Sequence, residues 1–446
     1  MKTATSLTGQ IAHWSSEMTL SDISPERQHR AKIALLDFLG CVHAASQFPE
    51  SESAFVLSQP GPHKVPGKKQ TTDLSSAIVA WGTLGALLQW HDGYGRGGNH
   101  PSSSILPVLL AHSEDYNSLL LPMLVGYEVA NRLAANTHPK QTMSGSAPTS
   151  SMGAMGSAVA LCKFLQLDQA TTQRAIGLAG FWAPIAAFEG LRNRGNGVPL
   201  HSGLAARAGW EAVCAAKSGL SASDFLLEGK NGSGLLQFLG GDFQGVQSPS
   251  QWRCETMDQV YLKPFPGCRH VHPAVESAMG LFQQTQHLGV KWKSIEIQTY
   301  ELAVSFGERP QNNFELYDCL MSLPWCVALT LLEGSTSLET IAKDRSRPEL
   351  QQLMSIIAIK NSVEHQSVYP QRLGATLIAI DDKGHRWEVT GSLEYASASR
   401  SFSPQGPYGP ILDEAGVIEK FTALTNAFWD PHVAYQKAQK LLNNNL

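Results

Sequence analysis

Charge is scarce in this chain. Only 16% of its 446 residues are Asp, Glu, Lys or Arg, against 43% hydrophobic, which is globular composition at the low end for charge. So sparse a charge suits a protein that hides part of its surface in an oligomer. Lys and Arg (34) nearly balance Asp and Glu (38), leaving a net charge of -4. With no long basic run, neither nucleic acid nor an anionic membrane is an expected partner. No stretch of about 20 uncharged apolar residues occurs, so no membrane span is expected. Met1 to Ser21 also lacks the apolar core of a signal peptide. The seven cysteines (Cys41, Cys162, Cys214, Cys254, Cys268, Cys319, Cys326) are odd in number and form no CxxC pair. Most sit in apolar, helical-looking segments, where reduced cysteine behaves as a small hydrophobe, and a reducing cytoplasm is the expected compartment. Internal repeats and low-complexity tracts are absent.

What is present is helix after helix, in a chain long enough for two cores. Ser24-Pro25 reads as a helix start, a capping hydroxyl followed by proline in the first turn. The run from Ala31 to Gly40 follows, apolar around most of its circumference. Ile105 to Ala111, Leu119 to Ala134, Met152 to Leu165 and Leu204 to Ala216 repeat that character. Helices apolar on nearly every side are buried by other helices, and small residues such as Gly153, Ala154 and Gly156 let the backbones approach. After Lys263 the pattern changes. Ser294 to Tyr300 alternates with period two, as a half-buried strand does. Ala375–Ile380 and His385–Thr390 flank Asp381-Asp382-Lys383-Gly384 as a hairpin. Leu323–Leu332 and Leu350–Ile357 are expected to be helical, and so is the tail from Leu412 to Leu442, with Val417, Phe421, Leu424 and Phe428 at helical spacing. The fold class expected is mainly α: a large all-helical domain (1–262 and 399–446) completed by a smaller α+β domain (263–398).

Three loops concentrate polar residues in apolar surroundings. The first, His91 to Ser104, holds Asp92, Arg96 and His100 among glycines and ends on a Pro-Ser-Ser helix start. Helix N-termini and a guanidinium suit a carboxylate; a plain glycine-rich loop with a capping serine is the alternative. The second, Glu189 to Gly203, carries Arg192, Arg194 and His201 before a helix, or is merely a solvated loop. The third, Lys263-Pro264-Phe265-Pro266-Gly267-Cys268-Arg269-His270-Val271-His272-Pro273, is stiffened by prolines. It offers Lys, Arg, Cys and His within ten positions, too dense for ordinary surface. No second ligand cluster accompanies Cys268 and His272, so no metal is expected. Nor does a phosphate-cradling glycine motif follow a strand, so no organic cofactor is expected either. Met321 to Ala328 reads as a helix start, for packing.

In order and spacing these segments resemble the signatures of the MmgE/PrpD family. The matching pieces are Asp92 eight residues before His100-Pro101-Ser102, Gly126-Tyr127-Glu128-Val129, and Gly153-x-x-Gly156. Leu200-His201-x-Gly203, Leu227-Glu228-Gly229, Lys263-Pro264-Phe265-Pro266, and Val327-Ala328 to Glu333-Gly334 complete the set. Each piece alone is weak; the ordered set covers nearly the whole chain. The resemblance implies a homodimeric enzyme that needs no cofactor and removes a proton next to a carboxylate of a small polycarboxylate. It also implies site roles for Asp92, His100 and Lys263. Three positions depart from the family's pattern: Ala147 where a histidine is usual, Val198 for lysine, and Trp325 for a tyrosine whose phenol would carry a proton. Arg96, Arg192, Arg194 and Arg269, with His201 and His270, are then the groups left to bind carboxylate.

The chemical step expected is proton abstraction with cationic groups holding the enolate charge. Expulsion of a β-hydroxyl gives a dehydratase, the leading expectation. Return of the proton on the opposite face gives an epimerase, with His100 and Lys263 facing each other across one carbon, and loss of carbon dioxide gives a decarboxylase. A catalytically silent carboxylate binder is the competing class.

Overall fold

The computed structural model describes residues 6–69, 71–192, 195–308, 314–394 and 413–443. The helix expected after Ser24 runs Pro25–Ala45, with the Ser24 hydroxyl accepting the Arg27 N–H. At the centre lies the Pro148–Phe164 helix, every residue of which from Pro148 to Cys162 is buried. The helices Tyr116–Thr137, Leu200–Lys217, Pro101–Leu110 and Gln169–Phe181 surround it. Small residues make that crowding possible. A Cβ on Gly156 would stand 2.7 Å from the Ala130 Cβ, and one on Gly209 2.5 Å from the Ala154 carbonyl. Interhelical contact at that range excludes any side chain, and the flanking Leu, Met and Val then fill the remaining volume at crystal-like density.

The chain is mainly α with a smaller α+β region. Its four-stranded sheet runs Ile357–Asn361, Trp292–Thr299, Arg372–Asp381, Arg386–Glu394, the first pair parallel and the others antiparallel. Ile295 and Ile297 point into the core, as the period-two pattern requires. The hairpin turns at Asp381, whose Oδ1 accepts the N–H groups of Lys383 and His385, and Gly384 takes the positive φ of 85° that the turn needs. The His272–Thr285 helix covers this sheet.

Two expectations are corrected here. The helix expected over Leu350–Ile357 stops at Met354, and Ile357 opens a strand to Asn361. Its Ile-Ala-Ile-Lys alternation is too short to outweigh the helical run before it. Phe428 is not on the helix of Val417 and Phe421: Glu414–Leu424 ends at Thr425, and Phe428 lies in the turn before Pro431–Asn443, 40% exposed. The domain boundary expected near 399 lies outside the described residues.

Both C-terminal helices pack on Pro25–Ala45. From the first of them Lys420 reaches Asp37 at 2.5 Å, a pair almost fully buried. Its ammonium also donates to the carbonyls of Lys263 (2.9 Å) and Trp90 (3.2 Å), and the Trp90 indole donates to the same Lys263 carbonyl. Lys420 thus ties the C-terminal helix to the loops at 90 and 263. Lys420→Met strands the buried Asp37 carboxylate and the Trp90 carbonyl, while the Lys263 carbonyl keeps the Trp90 indole, and is expected to lower stability by about 3 kcal/mol. In urea melts the double variant Asp37→Leu/Lys420→Met should regain much of that loss. A single variant as stable as the parent would show that the clamp carries no load.

Candidate active site

The loops flagged by sequence converge on one small cavity of about 70 Å³, with His91, His100, His201, Arg269, His270 and Tyr317 in its wall. Larger depressions open on the surface, one of them between the two C-terminal helices, but none of those gathers buried imidazoles. Room for a few waters' worth of atoms limits the occupant to a small molecule.

His100 is the residue just before the Pro101–Leu110 helix. Its Nδ1 lies 2.7 Å from the Asp92 carbonyl oxygen, which can only accept, so Nδ1 carries the hydrogen and Nε2 the lone pair. Burial first, and then the charge of Lys263, push its pKa well below the usual imidazole value. The ring is therefore neutral and basic at Nε2. The His91 ring stands beside it, centroids 4.8 Å apart. His91 is 1% exposed, and its Nδ1 has no hydrogen-bond partner among the described residues. Burial and the neighbouring His100 hold it neutral too. His201 repeats the His100 device: Nδ1 against the Val198 carbonyl at 2.6 Å, with its pKa lowered by burial. His270 bonds the Tyr300 hydroxyl at 2.6 Å, and burial followed by Arg269 keeps it neutral. Next to the wall residue Thr142, His138 is pushed down to about 3 by burial and Arg269. Arg269, 7% exposed, is the full cation of the wall.

The remaining expected site residues are placed as follows. Asp92 is buried behind His100. It orients the ring through its backbone carbonyl, while its carboxylate accepts from Ser102 N (3.1 Å), Ser102 Oγ (2.6 Å) and Tyr127 Oη (2.9 Å). Burial raises its pKa to about 6. Lys263, 1% exposed, donates to the carbonyls of Gln89 (2.6 Å) and Gly267 (3.2 Å), one step behind the wall residue Gln89. Desolvation brings it down to about 8. Arg96 is exposed and outside the wall, because Gly97 of the same turn is pressed against Ala134 and the arginine faces outward. The Arg192 side chain and Arg194 lie outside the described residues.

Of the three departures, Ala147 is in the cavity wall, so the missing imidazole leaves space there. Val198 supplies the carbonyl that orients His201. Trp325 is elsewhere: it is 1% exposed and its indole donates to the Arg345 carbonyl. A tyrosine does line the cavity, Tyr317, with its hydroxyl oxygen buried away from the open space; sequence reasoning missed it, along with His91 and His138. Only His91 left a trace, beside Asp92 in a loop already singled out. Among the described residues no group of three or more His, Cys, Asp or Glu has the arrangement of a metal site, and the Cys268–His272 loop turns His272 onto the Gly267 carbonyl instead.

A helical protein with a small cavity walled by neutral imidazoles and one arginine is the class that fold and site define. Residues 9–245 match the MmgE/PrpD N-terminal domain and residues 265–444 the MmgE/PrpD C-terminal domain. The chain belongs to the MmgE/PrpD family. It is similar to the cis-aconitate decarboxylase of Mus musculus, 28% identical over 297 residues that cover 61% of this chain and 57% of that protein. The Aspergillus terreus cis-aconitate decarboxylase is 25% identical over 303 residues, 62% of this chain and 60% of the relative. The Homo sapiens cis-aconitate decarboxylase is 27% identical over 294 residues, 61% and 57%. The matched part thus spans under two thirds of these relatives. Among the described residues no helix is long and apolar enough to cross a membrane.

Proposed function

We propose that this chain is a cofactor-independent lyase that moves a proton at the carbon next to a carboxylate of a small polycarboxylate. The observation that carries the reading is His100, an imidazole fixed by the Asp92 carbonyl with a basic Nε2, in a cavity that also holds Arg269. Arg269 takes one substrate carboxylate and the charge of the enolate. His100 Nε2 removes the α-proton, and the electron pair moves into the carboxylate as an enolate. That pair then returns to form a carbon–carbon double bond as the β-hydroxyl departs with a proton. His91, side by side with His100, supplies the proton once a bound polyanion has drawn one onto it. Lys263 stays behind the wall, where its charge biases the imidazoles toward neutrality.

Epimerisation fits less well, because Lys263 is held by two carbonyls and does not face His100 across one carbon. Decarboxylation is the second reading, favoured by what the relatives are named for. Incubating citrate-type β-hydroxy acids and cis-aconitate with the protein in deuterium oxide, followed by proton NMR, separates the outcomes. Water loss marks the dehydratase and carbon dioxide release the decarboxylase, while C–H exchange alone marks the epimerase. No change with any acid favours a silent binder.

Within this reading Arg269→Met is expected to lower turnover at least tenfold, because it removes the cation that holds the enolate, and Trp325→Phe to leave it near the parent level. The reverse order would place the substrate near Trp325 and not in this cavity. EDTA is expected to change neither turnover nor melting temperature; activity lost to chelator and restored by a divalent ion would contradict that. We take the working form to be a cytoplasmic homodimer without nucleic acid or membrane partners, which sedimentation at working concentration checks.

A further inference from the structure

A second pocket, sharing no residue with the first, opens between Pro25–Ala45, Leu74–Leu87 and the C-terminal helices. Its volume is about 720 Å³, within the range of small-molecule sites. Three features give it a chemistry. The inner wall is apolar and aromatic: Leu36, Leu39, Trp81, Phe421 and Trp429. His43 adds to it, its ring 4.9 Å from Trp429 and neutral through burial.

The second feature is Trp81: it is 8% exposed and belongs to the hydrophobic core, yet it still lines the pocket, so the aromatic wall is continuous with the core.

The third feature is charge. Lys64, Lys437 and Lys440 line the rim, exposed, and none has a carboxylate partner among the described residues. Lys68 is paired with Glu52. The acidic lining residues are Glu114 and Asp115, and Asp115 is occupied as the cap of Tyr116–Thr137. Lys437 lies over the Trp429 ring, 4.8 Å from its centroid, so cation and apolar wall are continuous.

We propose that this pocket binds a small amphiphilic anion: an apolar body against Trp81 and Trp429, and a carboxylate or phosphate at Lys437 and Lys440. A bare inorganic anion leaves the aromatic wall unused, and an uncharged apolar molecule leaves the lysines unused.

The test uses the full chain and 8-anilinonaphthalene-1-sulfonate as probe, displaced by decanoate, decyl phosphate or decanol below their aggregation limits. One saturable site per chain is expected, with decanol at least tenfold weaker than the better anion; which anion displaces better tells carboxylate from phosphate. Lys437→Glu/Lys440→Glu, two exposed positions, should weaken both anions tenfold or more and leave decanol unchanged. Trp429→Ala, which removes apolar wall and no charge, should weaken the anions and decanol alike, by about fivefold. Decanol binding as tightly as the anions, or probe binding that neither variant alters, overturns the proposal. So does a dimer that the double variant converts to monomer without ligand, since a second copy would then cover this face.

Discussion

Between pH 7 and pH 5 the folded protein is expected to lose most of its stability. His91, His270 and His272 are 1%, 6% and 1% exposed, and burial holds each well below the usual imidazole pKa. Above about pH 6.5 these rings are neutral in both folded and unfolded chains, so they contribute nothing to the pH dependence. Below it the unfolded chain takes up a proton on each while the folded chain does not, until the depressed pKa is reached. The unfolded state is then the one favoured by acid. Each such ring costs up to about 1.4 kcal/mol per pH unit while only the unfolded chain is protonated, so three together steepen the fall by up to about 4 kcal/mol per unit. A slope of that size takes a large share of an ordinary domain's stability. Urea melts at pH 7.5, 6.5 and 5.5 should show a steep fall. His272→Gln, away from the cavity, should remove one proton from the slope. A midpoint flat across this range would mean that the imidazoles are open to water.

These buried rings also mark how much was legible in the sequence. Where a residue's place follows from its local pattern, the reading and the structure agree. Ser24-Pro25 starts a helix, Ser294 to Thr299 lies in a strand, and His100, His201, Arg269 and His270 line one cavity, each on a stiff loop or at a helix start. The failures are of a different kind. Ile357 to Asn361 forms a strand because Trp292–Thr299 offers a neighbour some sixty residues back, and no local period announces that. Tyr317 and Trp325 are both aromatics near one helix start, and only packing decides that the Tyr317 ring lines the cavity while the Trp325 indole turns to Arg345. Arg96 looked like a carboxylate ligand for its charge, but the glycine beside it fixes the turn and aims it outward. Asp92 shows the limit most clearly: spacing puts it eight residues before His100, but only the folded loop shows that its carbonyl, not its carboxylate, orients the ring. Spacing shows which residues share a loop, and side-chain direction within that loop is settled by tertiary contacts.

That distinction shapes the sharpest functional test, His100→Gln. The amide can still donate to the Asp92 carbonyl, so the loop keeps its hydrogen bond and the fold should keep its melting temperature. What is lost is the lone pair at Nε2. General-base groups are worth about 10²–10⁴ in rate, so turnover or solvent exchange at the substrate's α-carbon is expected to fall at least a hundredfold. KM should hardly move, because Arg269 and not His100 binds the carboxylate. The parent's rate should also fall in acid before the fold does, as the imidazole is protonated in the complex. In His100→Gln that limb should vanish from whatever rate remains. Asp92→Asn serves as the contrast, since the carbonyl that orients the ring is retained. It should leave at least a tenth of the parent turnover, because the carboxylate touches Ser102 and Tyr127 and not the imidazole. If His100→Gln turns over normally, His91 or His201 must be the base. If Asp92→Asn is as dead as His100→Gln, the carboxylate acts on the reaction directly and the roles drawn from the hydrogen bonds are wrong.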